Sequence, residues 1–429
     1  MLNLLMGVIK NYDSLALNDN RKVALELIEA AFASITPPEI FKANFSYKNN
    51  ILKLNEETFD LNNFERVFLI GFGKGSGEMC KIIEGHLGDK LTKGFDIDVV
   101  EDPNFNKVEY TKGTHPLPSQ VNIDYTKKVL EATTGLSEKD IVLVVICGGG
   151  SAMFEDPINL GFDNLVKLFK DMLKSGADIT EMNIVRKHVS KVKGGKLAKH
   201  LYPATVASLI FSDVPGNDLA TIASGTTVKD NHTIDEAKEI LTKYNLSNDA
   251  SDNDMEETPR EDMYFEKVSN ILMLSNLTAL NAMKSKAQEL GKTARIWSDH
   301  VQGDARDLGE KLINETKPGE ILIAGGESTI KITGNGKGGR NQALVLCALP
   351  HINDDTLLAS FDSDGWDFYE LAGALIDKDT KRKIAEKNID VDTYLADDDS
   401  YGFFEATGDG VLTGKLESNV ADLFIVIKN

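Results

Sequence analysis

Three times in the first half of the chain a short apolar run enters a tight turn and is followed by a helix-compatible pattern. Val67–Ile70 leads into Gly71-Phe-Gly-Lys-Gly-Ser-Gly77, Ile141–Ile146 into Cys147-Gly-Gly-Gly-Ser151, and Ser208–Phe211 into Ser212-Asp-Val-Pro-Gly-Asn-Asp218. Continuous apolar strands that alternate with helices are buried on both faces, which is the setting of a parallel sheet. The first half therefore reads as a Rossmann-like α/β domain with a largely parallel sheet.

Upstream, Val23, Leu27, Ala31 and Phe32 recur at helical spacing until Pro37-Pro38 stops the pattern, and a hairpin-like stretch follows. Thr233-Ile-Asp-Glu236 has the form of a capping box for a helix ending near Asn245. Asp249–Asp262 holds seven acids and one base with little apolar content, so it reads as a solvated linker. Beyond it, apolar runs at Ile271–Leu274, Ala294–Trp297, Ile321–Ala324, Leu357–Phe361 and Leu423–Ile427 predict a second α/β domain. The expected organisation is 1–248, an acidic linker 249–265, and 266–429, with the active site in the interdomain cleft.

Charge narrows the function. The 429 residues carry 47 Lys and Arg against 67 Asp and Glu, a formal net charge of −20, which repels nucleic acids and anionic membranes. The one opposing stretch is Arg186–His200, with six Lys and Arg and no acid. Cys80, Cys147 and Cys347 are too dispersed for a disulfide framework or a thiolate zinc site. MLNLLMGVIK lacks the features of a signal peptide, and the run Ile141–Cys147 is far short of the roughly 20 residues of a membrane span. A cytoplasmic location is expected, with small molecules as partners; a homodimer is compatible with the sequence.

The turns carry the candidate chemistry. Glycines let backbone N–H groups approach an anion, so Gly73 and Gly75 beside Lys74, and Gly149 and Gly150 beside Ser151, read either as tight turns or as anion cradles. The Gly71–Gly77 spacing, GxGxGxG, is neither GxGxxG nor GxxxxGK[ST], and Met153 stands where a nucleophile elbow needs glycine. Asn183 and Arg186 share a helical face, and Gly194-Gly195 interrupts the basic run near Lys187 and Lys193. The basic run is either a solvated helix face or an anion contact. Asp213 and Asp218, then Asp362 and Asp364, sit in strand-end loops as turn formers, proton-transfer groups or hard-cation donors. Gly334-Asn-Gly-Lys-Gly-Gly-Arg-Asn-Gln342 brings Gly338, Gly339, Arg340 and Asn341 together before a helix, and four glycines beside two bases point to an anion.

The ordered stretches GFGKGSG, GTHPLPS, CGGGSA, MNIVRKHVSKVKGGKLA, SDVPGNDLATIASGTT, GGEST, GKGGRNQ, SDGWD and ATGDGVLTG with SNVADL resemble the glycerate 2-kinase family, whose C-terminal domain is named MOFRL. The resemblance implies a kinase that uses ATP and Mg2+ to phosphorylate the 2-hydroxyl of D-glycerate. It implies that Lys74 and Arg340 stabilise the transferring phosphoryl group, with Ser151, Asn183, Arg186 and Lys187 holding the substrate. Asp213 or Asp218 would orient or deprotonate the hydroxyl, and Asp362 and Asp364 would reach the metal. The nucleotide would contact Gly73, Gly75, Gly149, Gly150, Lys193, Gly194, Gly338, Gly339 and Asn341. The sequence departs from the family pattern at Thr226-Thr227, at Phe368-Tyr369-Glu370 and at Lys415-Leu416-Glu417. The competing readings are an NAD(P)-dependent hydroxypyruvate reductase and a non-catalytic binder of sugar acids.

Overall fold

The computed structural model describes residues 7–429; the first six residues of MLNLLMGVIK lie outside the described residues. Two compact units result. One holds Phe41–Ser212 with Asn217–Met273; the other holds the N-terminal residues up to Ile40, Asp213–Gly216 and Leu274–Asn429.

The unit containing Phe41–Ser212 opens with an antiparallel three-stranded sheet, β1 (Phe45–Lys48), β2 (Ile51–Leu54) and β3 (Glu57–Asp60), in the stretch expected to form a hairpin. Its main sheet comprises β4 (Arg66–Phe72), β5 (Lys93–Asp98), β6 (Val108–Lys112), β7 (Asp140–Ile146), β8 (Thr205–Phe211) and β9 (Val268–Leu274). The spatial order is β6-β5-β4-β7-β8-β9, and the first four neighbouring pairs are parallel. Numbered within the sheet, that is 3-2-1-4-5-6, the dinucleotide-fold order, whose direction reverses between β4 and β7. Every residue of β7 is buried, as its unbroken apolar run requires. The reversal places the Gly71–Gly77 and Cys147–Ser151 turns side by side at the strand ends, where such sheets bind ligands.

The other unit is built on β10 (Ala294–Asp304), β11 (Glu320–Thr329), β12 (Thr356–Asp362), β13 (Leu371–Ile376), β14 (Gly410–Leu412) and β15 (Asp422–Lys428). Their order is β10-β11-β15-β12-β13-β14; β10 and β11 are parallel and the other pairs antiparallel. Burial of Leu308, Leu312, Leu344, Phe403 and Phe424 forms its core under the helices.

Two expectations about organisation are corrected. Ile271–Leu274 does not start the second domain, because β9 is the sixth strand of the first sheet. Residues 249–265 do not join the units but pack within the first: Met255 and Thr258 are buried, and the Glu256 N–H donates to the His188 carbonyl at 2.9 Å. The helix Asp19–Ser34 belongs with the C-terminal sheet, and Pro37-Pro38 open the next helix, Pro37–Asn44, as well as ending the one before. Arg21 on the helix Asp19–Ser34 is completely buried, with Asp377 at 2.7 Å and Asp409 at 2.6 Å. Among the described residues no helix is long and apolar enough to cross a membrane.

Candidate functional site

At the end of β4 the glycines serve close approach. A Cβ on Gly71 would lie 2.2 Å from Asp96 Oδ1 and 2.3 Å from Cys80 Sγ, and one on Gly73 only 2.5 Å from the Cys147 carbonyl oxygen. The loop's own N–H groups are committed: Gly73 donates to the Ile97 carbonyl, Lys74 to that of Gly148, and Gly75 and Gly77 to Asp98 Oδ2 at 2.9 and 3.2 Å. The anion at this helix start is therefore the protein's own carboxylate, which removes the N–H contact expected of Gly75. Folded this way, the turn leaves Lys74 exposed, with no ion pair among the described residues. Its charge, after burial, holds the neighbouring His115 imidazole below its ordinary pKa, so that ring is neutral at pH 7. His115 in turn lies against the second loop, where a Cβ on Gly149 would meet its ring at 2.7 Å.

Ser151, Asn183 and a residue that sequence reasoning passed over form one polar chain. Ser224 Oγ lies 3.0 Å from Ser151 Oγ and donates to Asn183 Oδ1 at 2.9 Å. Ala223 and Ser224 both adopt left-handed backbone, φ 48° and 57°, at a cost of about 1–3 kcal/mol each. Gly194 and Gly195 hold that turn by donating to the Ser224 and Gly225 carbonyls at 3.0 and 2.8 Å. Gly194 thus spends its N–H on the turn, not on a nucleotide. Gly150 meets Phe72 and Ala223, where a Cβ would lie at 3.0 and 3.1 Å.

Half of the basic run is buried in the fold, although Lys191 and Lys199 are exposed. Lys187 and Asp230 form a buried pair at 2.7 Å; Lys193, completely buried, reaches Glu155 Oε2 and the Phe154 carbonyl, each at 2.9 Å. Lys196 caps three carbonyls, those of Lys187, Ser190 and Glu256, and burial lowers its pKa to about 8. Lys187 and Lys193, expected at substrate and nucleotide, are committed inside the fold. Arg186 differs. Its guanidinium stacks 4.8 Å from the Phe169 ring centre, burial lowers its pKa, and Glu155 opposes that shift from a distance. It makes no ion pair and no side-chain hydrogen bond among the described residues. A desolvated guanidinium in that condition is ready for a carboxylate or phosphate. Asp218 takes hydrogen bonds from the Ala220 N–H and the Thr221 hydroxyl, steering the chain toward the strained turn, while Asp213 stands on the partly buried turn after β8.

In the second unit, Arg340 begins the helix Arg340–Cys347 among carboxylates. Its Nε is 2.8 Å from Asp422 Oδ2, Nη1 is 2.7 Å from Glu327 Oε1, and Nη2 is 3.6 Å from Asp362 Oδ2. Asn341 donates to Asp422 at 2.7 Å, and Asp367 accepts the N–H groups of Asn341 and Gln342 at 3.2 and 2.8 Å. Burial, reinforced by Asp422, raises Asp367 to about 7; burial and then Asp422 and Asp364 hold Asp362 well above the usual carboxylate range. Gly339 leaves room for Asp367, whose Oδ1 would be 2.2 Å from a Cβ, and Gly338 for Ser400. The rest of the glycine loop is gripped by three consecutive acids, Asp397–Asp399. Asp398 accepts from Thr333 and Gly334, Asp397 from Asn335, and Asp399 from Lys337.

Beside Arg340 opens a cavity of about 660 Å³, lined by Glu327, Ser328, Arg340, Asp362, Asp367 and Phe368 among others. Glu327 and Asp422 were quoted in GGEST and SNVADL but not singled out as functional, because a lone acid in a strand carries no spacing signal. Asp364 accepts the Trp366 N–H, and its own N–H donates to Asp362. No group of three His, Cys, Asp or Glu among the described residues is spaced to hold a metal ion.

Comparison with known proteins gives a family. A model described as a domain of unknown function (DUF4147) matches residues 23–256, and the MOFRL family model matches residues 320–422. The chain is 35% identical to a glycerate 2-kinase of Pyrococcus horikoshii, covering 95% of this chain and 97% of that one. It is 33% identical to a D-glycerate 2-kinase of Thermotoga maritima over 94% of this chain and 97% of the relative. The crystal structure of a Thermotoga maritima glycerate kinase superposes with a TM-score of 0.84 at 32% identity, covering 95% and 99% of the two chains. With these matches spanning both units, the chain belongs to the glycerate 2-kinase family with a C-terminal MOFRL domain.

Proposed function

We propose that the protein transfers the γ-phosphoryl group of ATP to the 2-hydroxyl of D-glycerate, giving 2-phosphoglycerate and ADP, with Mg2+ as the metal. The observation that carries this reading is Arg186, a half-buried guanidinium with no ion pair among the described residues, in the same unit as the linked hydroxyl and amide groups of Ser151, Ser224 and Asn183. A carboxylate needs a bidentate cation, and vicinal hydroxyls need neutral donors and acceptors. Glycerate offers both.

The glycerate O2 attacks the γ-phosphorus, the bond from phosphorus to the β–γ bridging oxygen breaks, and the hydroxyl proton passes to Asp213 or Asp218. Lys74 and Arg340 neutralise charge on the transferring group, which is the main requirement of phosphoryl transfer. That residues of both units serve one reaction is part of the proposal. Magnesium is satisfied by one or two carboxylates with phosphate oxygens and water. Asp362 and Asp364 suit that donor set, since burial, and then the charges of Asp422 and Asp364, keep Asp362 reluctant to ionise even beside Arg340, and a divalent cation would relieve that repulsion. When bound there, the metal would screen the phosphate charge.

A second reading, hydroxypyruvate reduction with a nicotinamide cofactor, draws on the 3-2-1-4-5-6 strand order. It is weakened by Asp98, which takes the Gly75 and Gly77 N–H groups that a pyrophosphate would need. The test couples D-glycerate, ATP and magnesium directly to enolase without a mutase. Phosphoenolpyruvate should form at once; dependence on an added phosphoglycerate mutase would mean transfer to the 3-hydroxyl. NADH oxidation with hydroxypyruvate alone would establish the reductase.

A further inference from the structure

We propose that Phe368 is the stacking platform for the base of the nucleoside triphosphate. The proposal rests on the kinase reading and adds to it the residue that receives the base.

Phe368 lies in the connection between β12 and β13, which closes where the Asp367 N–H donates to the Leu371 carbonyl at 2.8 Å. Within it Phe368 and Tyr369 both adopt left-handed backbone, φ 54° and 61°. Glycine takes that conformation freely, whereas two aromatic residues are opposed by their own backbone. The Gln342 side-chain amide anchors the turn by donating to the Asp367 carbonyl at 2.6 Å. Tyr369 has a packing reason to be there, because Lys337 Nζ sits 5.5 Å from its ring and the Tyr401 ring 5.3 Å away. Phe368 has little: among the described residues its one aromatic partner is the tilted Tyr369 ring at 6.4 Å, and the residue is 69% exposed.

An aromatic ring held in strained backbone and left in water does nothing for the fold. It does line the 660 Å³ cavity, together with Ile332, which is 52% exposed, and with Arg340, Glu327 and Asp362. The cavity thus joins exposed apolar surface to a charged side. Its volume lies within the range of small-molecule sites. Glycerate, with three carbons and no flat face, cannot use an aromatic surface; a nucleotide presents a flat base at one end and phosphates at the other. Stacking reads the π-face and not the base edge, so purine nucleotides should substitute for one another with modest loss.

The test measures binding of Mg-ADP and of magnesium tripolyphosphate by calorimetry to the full chain, its Phe368→Gly variant and its Phe368→Trp variant. Glycine removes the ring and eases the backbone, so folding is preserved. Phe368→Gly should bind ADP about 10-fold more weakly, within the range for loss of one base stack, and tripolyphosphate within about two-fold of the parent. Phe368→Trp should bind ADP like the parent. The KM for ATP should rise in parallel in the glycine variant while that for glycerate holds. Unchanged ADP binding by Phe368→Gly, or equal loss of ADP and tripolyphosphate, overturns the platform and leaves the kinase reading intact. A parent protein that binds ADP through Phe368 yet phosphorylates no glycerate overturns the kinase reading alone, and one that binds no ADP overturns both.

Discussion

Asp96 sits in β5 beneath the loop that carries Lys74, and neither of its carboxylate oxygens is hydrogen-bonded. Ser76 and Cys80 lie near enough to ease its charge without bonding to it. Burial first, and then the charge of Asp98, raises its pKa from 3.8 to about 7. An acid with a raised folded pKa binds its proton more tightly in the native state, so stability falls as pH climbs from about 3.8 to about 7 and stays low above that. At 1.36 kcal/mol per unit, full ionisation costs about 4 kcal/mol. Asp96→Asn keeps the shape and removes the titration. Any constant cost of burying the amide is independent of pH, so the informative quantity is the slope: between pH 5.5 and 8 the variant should gain about 2 kcal/mol on the wild type. Both tryptophans, Trp297 and Trp366, lie in the other unit, so indole fluorescence is the wrong probe. Hydrogen exchange of peptides covering Arg66–Phe72 and Lys93–Asp98, corrected for the intrinsic pH effect, reads the correct unit. The expected gain is about 30-fold in protection, converting 1.4 kcal/mol to each factor of ten. A difference between the two proteins that is flat across this range would show that Asp96 ionises as an ordinary carboxylate and that the strand ends are wetter than the structure shows.

Lys74→Ala should lower kcat by about 100-fold or more, the usual loss when one charge-stabilising group is removed, with the thermal midpoint unchanged because the side chain is exposed. Arg186→Ala should raise the KM for glycerate by roughly 10- to 150-fold, the equivalent of a charged hydrogen bond, and leave the KM for ATP alone; the reverse pattern would move Arg186 to the nucleotide. Arg21→Met removes the buried cation shared by Asp377 and Asp409, leaving Lys383 to Asp409 alone, and should cost about 3 kcal/mol, visible in urea titrations followed by tryptophan fluorescence, since both indoles share that unit. Chelating magnesium should abolish phosphoenolpyruvate formation in the coupled assay, and full activity in excess chelator would remove Asp362 and Asp364 from a metal role.

The parallel sheet was legible because fully buried strands leave uninterrupted apolar runs, and the turns between them are rich in glycine. What those glycines do was not. Spacing cannot distinguish an N–H group aimed at a phosphate from one aimed at Asp98, or at Asp397–Asp399 some 60 residues away in the chain. The basic run misled in the same way: six positive charges read as one feature, yet Lys187, Lys193 and Lys196 are internal supports, Lys191 pairs with Asp156, and Arg186 and Lys199 rest on aromatic rings. Ser224 and Asp422 escaped notice because each becomes functional only through a neighbour that folding brings to it. The membership of β9 was hidden because an apolar run does not say which sheet it joins.

The Arg21 network also sets the order in which this molecule can be completed. The helix that emerges early from the ribosome carries a guanidinium whose partners, Asp377 and Asp409, are translated more than 350 residues later. Until then Arg21 has no counter-charge, although its helix can already pack on the helix Asn276–Glu289, while the sheet of β4–β9 has all its strands by Leu274 and can mature during synthesis. The C-terminal unit joins segments from far apart in the chain, residues up to Ile40 and Leu274–Asn429. A fragment cut to the boundaries of the MOFRL match, residues 320–422, would carry the two buried acids without their arginine. Such a fragment therefore lacks part of its own core.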